Sequence, residues 1–416
     1  MKRGSLSTYF AGVGVKSLSA TEIDPTVSRG HELQGVDAIQ AFLGVPSDKR
    51  RIPARYVWLS DDDEPLIFEG EVTWYDSRKG QINRDPEPRF YYPKASEPIV
   101  YRAKPGDTLF VCHGRDETLT FLFCGVGTTI EKQLLWLFGL QVGGGDIVEK
   151  DLRGSEDVEL GLPARYILSL IGIDARVEDE DWLARLTRAF GNQFPTTSAF
   201  SAFARKAAAD VDVTGDPDGT LLRWLEVEEL LFYTLERHIV EQRLRTGFLA
   251  RDEADVDGFV SFSLSVQNRR KSRAGHSLEH HLASVFEAHG LQFDRGGRTE
   301  GNKRPDFLFP GTVAYQDPEF PVTLLTLLGA KSSCKDRWRQ VLSEGERVPG
   351  KHLLTLEPGI SINQTDEMRA AGLQLVVPGP LHSSYRPEQA AWLMSLEDLL
   401  AMAKGRAASF PHHHIP

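Results

Sequence analysis

Asn302-Lys303-Arg304-Pro305-Asp306-Phe307-Leu308-Phe309, the apolar run Val322 to Leu328, and Gly329-Ala330-Lys331-Ser332-Ser333-Cys334-Lys335-Asp336-Arg337-Trp338-Arg339-Gln340 are three pieces of one region, Gly301 to Glu344. Asp306 stands just before a hydrophobic strand. Lys331 ends the next predicted strand. Glu344 falls on the helix expected after it, because Cys334, Trp338, Val341 and Leu342 recur at i, i+4, i+7 and i+8 and give that segment one apolar face. Two acids and a lysine are thus spaced so that one sheet end can gather them.

Working outward, His276 to His289 predicts a helix. Leu278, Leu282, Val285 and Phe286 form its apolar stripe, Glu279 adjoins that stripe, and Gly290 is placed to end it. After Glu344, Lys351 to Leu356 and Leu373 to Pro378 read as strands with a helix at Asp366 to Ala371 between them. Leu393 to Ala403 reads as a last amphipathic helix. From Glu279 onward the order is α, β, β, α, β, α, β, α, which implies an α/β domain with a mixed central sheet flanked by helices.

Hydrolysis of a phosphodiester calls for a divalent cation to polarise the phosphoryl oxygen and help generate hydroxide. Magnesium prefers oxygen ligands and takes one or two carboxylates. Asp306 can supply one of them, and Lys331 can stabilise developing negative charge. This spacing matches the general Pro-Asp…(Asp/Glu)-x-Lys nuclease pattern, with one departure: Gly329 stands where an acid is usual. By itself the pattern is weak, since many surface strands carry a Pro-Asp and a distant lysine.

Residues 1 to about 145 read as mainly β. Strands are expected at Arg55 to Leu59, Leu66 to Tyr75, Ile99 to Arg102, Thr108 to His113 and Thr118 to Gly125, with turn-rich pieces between them. Helical patches are expected at Gly35 to Leu43 and Thr129 to Leu137. So many short strands close most naturally into a barrel or a sandwich. Within this region Trp74 to Arg84 offers planar rings, short polar groups and three cations, the groups that contact bases and phosphates. The competing reading is a solvated hairpin.

Gly143-Gly144-Gly145 has no following Lys-Ser or Lys-Thr pair and reads as a hinge rather than a phosphate loop. Helical periodicity dominates from Asp181, and Leu221 to Gln242 reads as a long helix. Asn268-Arg269-Arg270-Lys271-Ser272-Arg273-Ala274-Gly275 is a basic segment expected to precede the His276 helix. The domain boundaries drawn from these shifts are an N-terminal domain at 1–172, a linker at 173–182, a C-terminal domain at 183–405 and a tail at 406–416.

The totals agree with two soluble domains. The chain has 416 residues, 41% hydrophobic and 26% charged, ordinary values for a globular protein. No apolar run approaches the ~20 residues of a membrane span, and Met1 to Ser5 lacks the apolar core of a signal peptide. Three scattered cysteines, Cys112, Cys124 and Cys334, make no disulfide framework, so a cytoplasmic location is expected. The net charge of −11 argues mildly against nucleic-acid binding. The local basic segments at Arg269 to Arg273 and Lys331 to Arg339 leave it open.

Several long motifs in one order carry a resemblance to a known family. They are Asn268 to Gly275, Ser277-Leu278-Glu279, Glu300 to Pro310, Cys334 to Gln340, and Leu375-Val376-Val377-Pro378 with Leu381-His382. From roughly Phe194 to His382 the chain closely resembles the catalytic domain of the EcoRII-like type II restriction endonucleases, of the PD-(D/E)xK nuclease superfamily.

That resemblance implies a restriction-endonuclease-like C-terminal fold and a homodimeric, Mg2+-dependent enzyme that cuts double-stranded DNA at a CC…GG-type site. Asp306 and Glu344 would bind the metal and Lys331 would be catalytic. Glu279 would be a further active-site acid, and Tyr315 either a support for the site or a core aromatic. Family members with glycine at the position of Gly329 use the relocated glutamate. Lys335, Asp336 and Arg337 would read cytosine–guanine pairs, and Arg269, Arg270, Lys271 and Arg273 would contact the DNA backbone.

The N-terminal region resembles the family's effector domain, a DNA-binding pseudobarrel related to the plant B-three fold. Local pieces carry this likeness, Tyr75 to Arg78 and Asn83-Arg84, and imply effector-DNA contact by Tyr75, Ser77, Arg78 and Arg84. Two other readings stand beside this one: a nuclease directed to methylated DNA, and a DNA-binding regulator with an inactive nuclease site.

Overall fold

The structure is a computed structural model that describes residues 5–28, 30–46, 48–81, 83–143, 146–152, 160–173, 180–250, 253–332 and 337–409. The chain divides into two compact units. One comprises Arg3–Ala175 with Gly359–Ser361, the other Arg176–Pro358 and Ile362–Pro416 with Met1–Lys2. No helix among the described residues is long and apolar enough to cross a membrane.

The N-terminal unit is built on eight strands: β1 (Phe10–Ser17), β2 (Glu32–Leu33), β3 (Arg50–Leu59), β4 (Leu66–Asp76), β5 (Pro88–Tyr91), β6 (Thr108–Gly114), β7 (Leu119–Cys124) and β8 (Val148–Asp151). Their order in the sheet is β2-β5-β4-β3-β7-β6-β1-β8. All pairings are antiparallel except β3 with β7. The sheet curls far enough for Ile147, next to one edge strand, to donate its N–H to the carbonyl of Gly35, next to the other, at 3.0 Å.

Period-2 alternation then feeds two cores. Leu119, Phe121 and Phe123 of β7 join Tyr56, Trp74 and Phe90 inside the curl. Leu122 and Cys124 face outward onto the helices Thr129–Phe138 and Leu162–Leu170. Cys112 and Cys124 are free and buried, and burial pushes both thiols up, away from reactivity.

One expectation fails here and one strand goes unforeseen, both for local reasons. Ile99 to Arg102 is no strand: Pro98 sits in the first turn of a short helix, Glu97–Val100, where its fixed φ suits a helix start. β1 goes unforeseen because Gly12 and Gly14 interrupt its pattern, yet side chains there would collide with Phe42, Ile39 and Ile147. Gly144 and Gly145 of the expected hinge lie outside the described residues, and β8, which follows, pairs with β1.

The C-terminal unit carries a small hairpin, β9 (Leu249–Ala250) with β10 (Glu253–Ala254), and a five-stranded mixed sheet. That sheet orders β11 (Asp294–Arg295), β12 (Phe307–Phe309), β13 (Thr326–Lys331), β14 (Lys351–Thr355) and β15 (Leu373–Val376) side by side. The first three are antiparallel and the last three parallel. This is the mixed sheet expected from the element order.

The predicted helix at His276 begins twenty residues earlier, as part of one helix spanning Val256–Ala288. The basic segment lies inside it. Arginine and lysine are good helix formers, and Arg270 and Arg273 are anchored to the neighbouring helix, Pro217–Thr246, through Glu236 and Glu228. Tertiary contacts thereby outweigh the ~1 kcal/mol that Gly275 costs in a helix interior. At the far end Gly290 takes φ 70°, as its position predicted. Phe286 packs edge-on against Phe307 and Phe309 at 5.1 and 5.0 Å, and this contact seats the helix on β12.

Candidate active site

β12 and β13 run antiparallel with Phe307 opposite Leu328, so the start of the first lies beside the end of the second. That register brings Asp306 to Lys331. Oδ2 of Asp306 accepts from the Lys331 ammonium at 2.7 Å and from the Ala330 N–H at 2.7 Å. Both side chains keep some exposure, 16% and 22%, so the site opens to solvent.

Glu344 arrives from the other side. It lies two residues past the helix Trp338–Leu342, rather than on it as expected. Burial pushes its carboxyl up to about 7; the Asp306 charge adds to this, while Lys331, Lys303 and Lys351 oppose it. The turn that carries it is pinned by two lysines. Lys303 donates to the Ser343 carbonyl at 2.6 Å and Lys351 to that of Leu342 at 2.8 Å. Neither lysine stood out in the sequence, because capping a helix end across the fold leaves no local signal.

Gly329 has a steric reason. A Cβ there would stand 2.7 Å from Cγ2 of Val341 and 3.3 Å from its Cγ1. Val341 belongs to the helix Trp338–Leu342 and is fully buried. The missing side chain lets that helix press against β13, and its closeness delivers Glu344 to the site. Losing the acid at 329 and gaining one at 344 are one packing event.

Tyr315 buttresses the same turn. Its hydroxyl donates to Glu300 at 2.6 and 2.5 Å, and Glu300 also accepts from the Glu346 N–H at 3.2 Å. The Arg347 guanidinium reaches the carbonyls of Tyr315, Asp317 and Phe320. Burial works against the Glu300 charge, but the Tyr315 hydroxyl and backbone N–H donors hold its carboxyl below the usual range. Burial and Glu300 push the Tyr315 hydroxyl up to about 12. Tyr315→Phe should therefore lower stability by about 1.5–3 kcal/mol, the worth of a hydrogen bond to a charged group, as read by urea denaturation.

Glu279 lies on the helix Val256–Ala288. Its Oε2 pairs with Arg295 at 2.9 Å, and Arg295 also meets Nδ1 of His280 at 3.1 Å. Asp306, Lys331 and Glu344 are the residues that electrostatics and hydrogen bonds join. The Asp306 charge adds to the cost of ionising Glu344, a demand that a divalent cation answers. Magnesium needs only one or two carboxylates and completes its shell with water and substrate oxygens, so Asp306 and Glu344 fit it. Among the described residues no group of three or more His, Cys, Asp or Glu is placed to hold a metal.

Of the residues expected to touch DNA, Lys335 and Asp336 lie outside the described residues, as does the side chain of Lys271. Arg337 is exposed immediately before the helix Trp338–Leu342. Arg269 stacks over Phe194 at 4.1 Å, Arg270 binds Glu236 at 2.8 and 3.0 Å through Nε, and Arg273 lies over Phe232 at 4.5 Å. Glu228, which Arg273 approaches at 3.8 Å, is fully buried and binds His281 at 2.9 Å.

In the N-terminal unit Tyr75 donates to Glu32, Ser77 to Glu87 at 2.7 Å, and Arg78 meets Glu87 at 3.2 Å. Arg89 ties Glu32 to Glu87 at 2.5 and 2.7 Å. Arg84 is exposed. The hairpin's polar groups thus hold one another through two glutamates that the sequence reading passed over.

With this geometry in view, residues 232–400 match the family model described as EcoRII C terminal. The type II restriction enzyme EcoRII of Escherichia coli is 44% identical over 233 residues, which is 56% of this chain and 54% of that protein. The match thus spans about half the length of that relative. Among solved structures, metal-depleted Ecl18kI in complex with uncleaved, modified DNA aligns at 18% identity and a TM-score of 0.46, over 56% of this chain and 86% of that one. Metal-depleted Ecl18kI with uncleaved DNA aligns alike, over 57% and 87%. Residues 232–400 are thus similar to the EcoRII C-terminal domain, and the likeness covers about half of this chain.

Proposed function

We propose that this chain is a type II site-specific deoxyribonuclease that cuts double-stranded DNA at a short CC…GG-type site, depends on Mg2+ and acts as a homodimer. One observation carries the reading: the Asp306–Lys331 contact of 2.7 Å with Glu344 electrostatically coupled to it, inside an EcoRII C-terminal domain.

A divalent cation held by Asp306 and Glu344 would polarise the scissile phosphoryl oxygen and favour hydroxide over water. Lys331 holds one oxygen of Asp306 in place and presents its ammonium where negative charge grows on the phosphate. The Ala330 N–H fixes that same oxygen from the backbone, so Asp306 keeps its orientation when Lys331 turns to the substrate. Glu279, paired with Arg295, would be a further active-site acid from the preceding helix. Lys335, Asp336 and Arg337 are the base readers in this reading: cations donate to guanine O6 and N7, and the carboxylate accepts from the cytosine amino group. Arg269, Arg270, Lys271 and Arg273 would lie along the DNA backbone.

The N-terminal unit would be a B-three-like pseudobarrel that binds an effector copy of the site through Tyr75, Ser77, Arg78 and Arg84 and regulates cleavage. The near-closure of its sheet through Ile147 and Gly35 supports this. The test is cleavage-end mapping on plain and methylated genomic DNA, with Mg2+ and with chelator. Cuts at CC…GG sites in plain DNA that vanish with chelator are expected. Cuts confined to methylated DNA, or binding without cutting, would replace the reading. Removing residues 1–175 should raise cleavage of single-site DNA; an unchanged rate would rule out regulation by this unit.

A further inference from the structure

The chemistry set out above gives no task to Arg295, the cation that holds Glu279. Its Nη2 donates to Oε2 of Glu279 at 2.9 Å, and among the described residues no hydrogen bond or ion pair engages Oε1. Asp306 is built alike: Lys331 and the Ala330 N–H take Oδ2, and among the described residues nothing binds Oδ1. A carboxylate tied by one oxygen has a set orientation, and the other oxygen keeps its lone pairs for a further partner.

Arg295 stands on β11 opposite Phe307, the residue after Asp306. The next residue, Gly296, donates its N–H to the carbonyls of Pro305 and Asp306 at 3.1 and 3.3 Å. The guanidinium lies 5.8 Å from the centre of the Phe307 ring, and Phe307 is buried against Phe286 of the helix that carries Glu279. One side chain therefore connects the acid of the helix with the strand that delivers Asp306.

Arg295 is itself held. Its Nη1 lies 3.1 Å from Nδ1 of His280. A guanidinium can only donate, so Nδ1 accepts and the ring proton sits on Nε2, which donates to the Thr197 hydroxyl at 3.3 Å. Burial, with the Arg295 charge adding to it, pushes the His280 imidazole down to about 4, so the ring stays an acceptor at neutral pH. Thr197 begins the helix Thr197–Ala207. Thr197, His280, Arg295 and Glu279 thus form one chain of hydrogen bonds in which each group sets the orientation of the next. Both terminal nitrogens of Arg295 are engaged within it, one by His280 and one by Glu279, which suits holding an acid rather than gripping a phosphate.

We propose that Arg295 is a positioning residue of the active site: held by His280 and Thr197, it fixes the carboxylate of Glu279, and it acts on cleavage through that acid and not through the DNA. The proposal rests on the reading of Glu279 as an active-site acid, and the experiment separates the two.

The experiment combines single-turnover cleavage in Mg2+ with DNA binding in its absence over a range of salt, on the full chain. The variants are Glu279→Gln, Arg295→Met, the double variant, His280→Phe and His280→Asn, with urea denaturation as the check on folding. Glu279→Gln and Arg295→Met should each slow cleavage by about 10- to 100-fold, the cost of a misplaced group. The double variant should be no slower than the slower single one, because groups that act as a unit do not add. DNA affinity and its salt dependence should not change in Arg295→Met, whereas a lost phosphate contact lowers the salt slope by about 1. His280→Phe should slow cleavage by about 10-fold, the worth of a hydrogen bond to a charged group, and His280→Asn, which keeps an acceptor near Nδ1, should retain most of the rate. Full-rate cleavage by Glu279→Gln would remove that acid from the site and the proposal with it. Full-rate cleavage by Arg295→Met beside a slow Glu279→Gln would overturn the proposal alone. So would losses that multiply in the double variant, or weakened DNA binding by Arg295→Met, since either makes Arg295 an independent group. Where Arg295→Met does not fold, the two His280 variants decide: equal rates for them would overturn the proposal.

Discussion

Lys331→Ala is expected to lower DNA cleavage roughly 10²–10³-fold, the usual cost of removing one group that stabilises transition-state charge, while DNA affinity stays near that of the unaltered protein. The ammonium stands 2.7 Å from Asp306 and is a counter-charge to Glu344. Its loss leaves two carboxylates facing each other with one cation fewer between them. Folding should be little affected, because the lysine is partly exposed and the Ala330 N–H still holds Asp306. Lys331→Arg should not restore activity, since a planar guanidinium cannot replace a compact ammonium in that gap. Single-turnover cleavage with a parallel binding assay separates the two quantities. Cleavage at the full rate in Lys331→Ala would remove the lysine from the chemistry.

The second large effect concerns a residue with no side chain. Gly329→Ala should destabilise the protein by about 1–3 kcal/mol, the ordinary cost of overpacking a core, because the new Cβ would overlap Val341. It should also cut cleavage, on the order of 10²-fold for a displacement near 1 Å, because the helix that moves leads directly to Glu344. Gly329→Glu restores the acid usual in the broader nuclease pattern and should be no better, for the same reason. The discriminating variant is the double one. Gly329→Ala with Val341→Ala makes room for the added methyl and should recover most of the stability and part of the rate. Equal damage in the single and double variants would mean that Val341 is not what requires the glycine. Urea denaturation and single-turnover cleavage read both quantities.

Sequence legibility differed between the two kinds of structure for a physical reason. Patterns that repeat locally were readable. The alternation of β7, the stripe of Leu278, Leu282, Val285 and Phe286, and the strand on either side of the active-site loop are all set by neighbours in the chain. Elements held by distant partners were not. β1 is interrupted by Gly12 and Gly14, which only the distant Phe42, Ile39 and Ile147 require. The basic segment reads as lying before the His276 helix until Glu236 and Glu228 are brought against it.

The candidate site divides along the same line. Asp306 and Lys331 were legible because they bracket two consecutive strands, and an antiparallel pair joins the start of one to the end of the next. The lysines that cap the Glu344 turn, and the Glu300–Tyr315 pair beneath it, were not legible as supports, since each joins residues separated by 9 to 46 positions.

By itself, then, the sequence determined the order of elements, the mixed character of the C-terminal sheet and the identity of the acid–lysine pair, since each follows from periodicity and chain proximity. Only the tertiary structure decided why residue 329 is glycine and where Glu344 stands. Those are questions of which surfaces meet, and van der Waals overlap and burial exist only once the chain has folded back on itself.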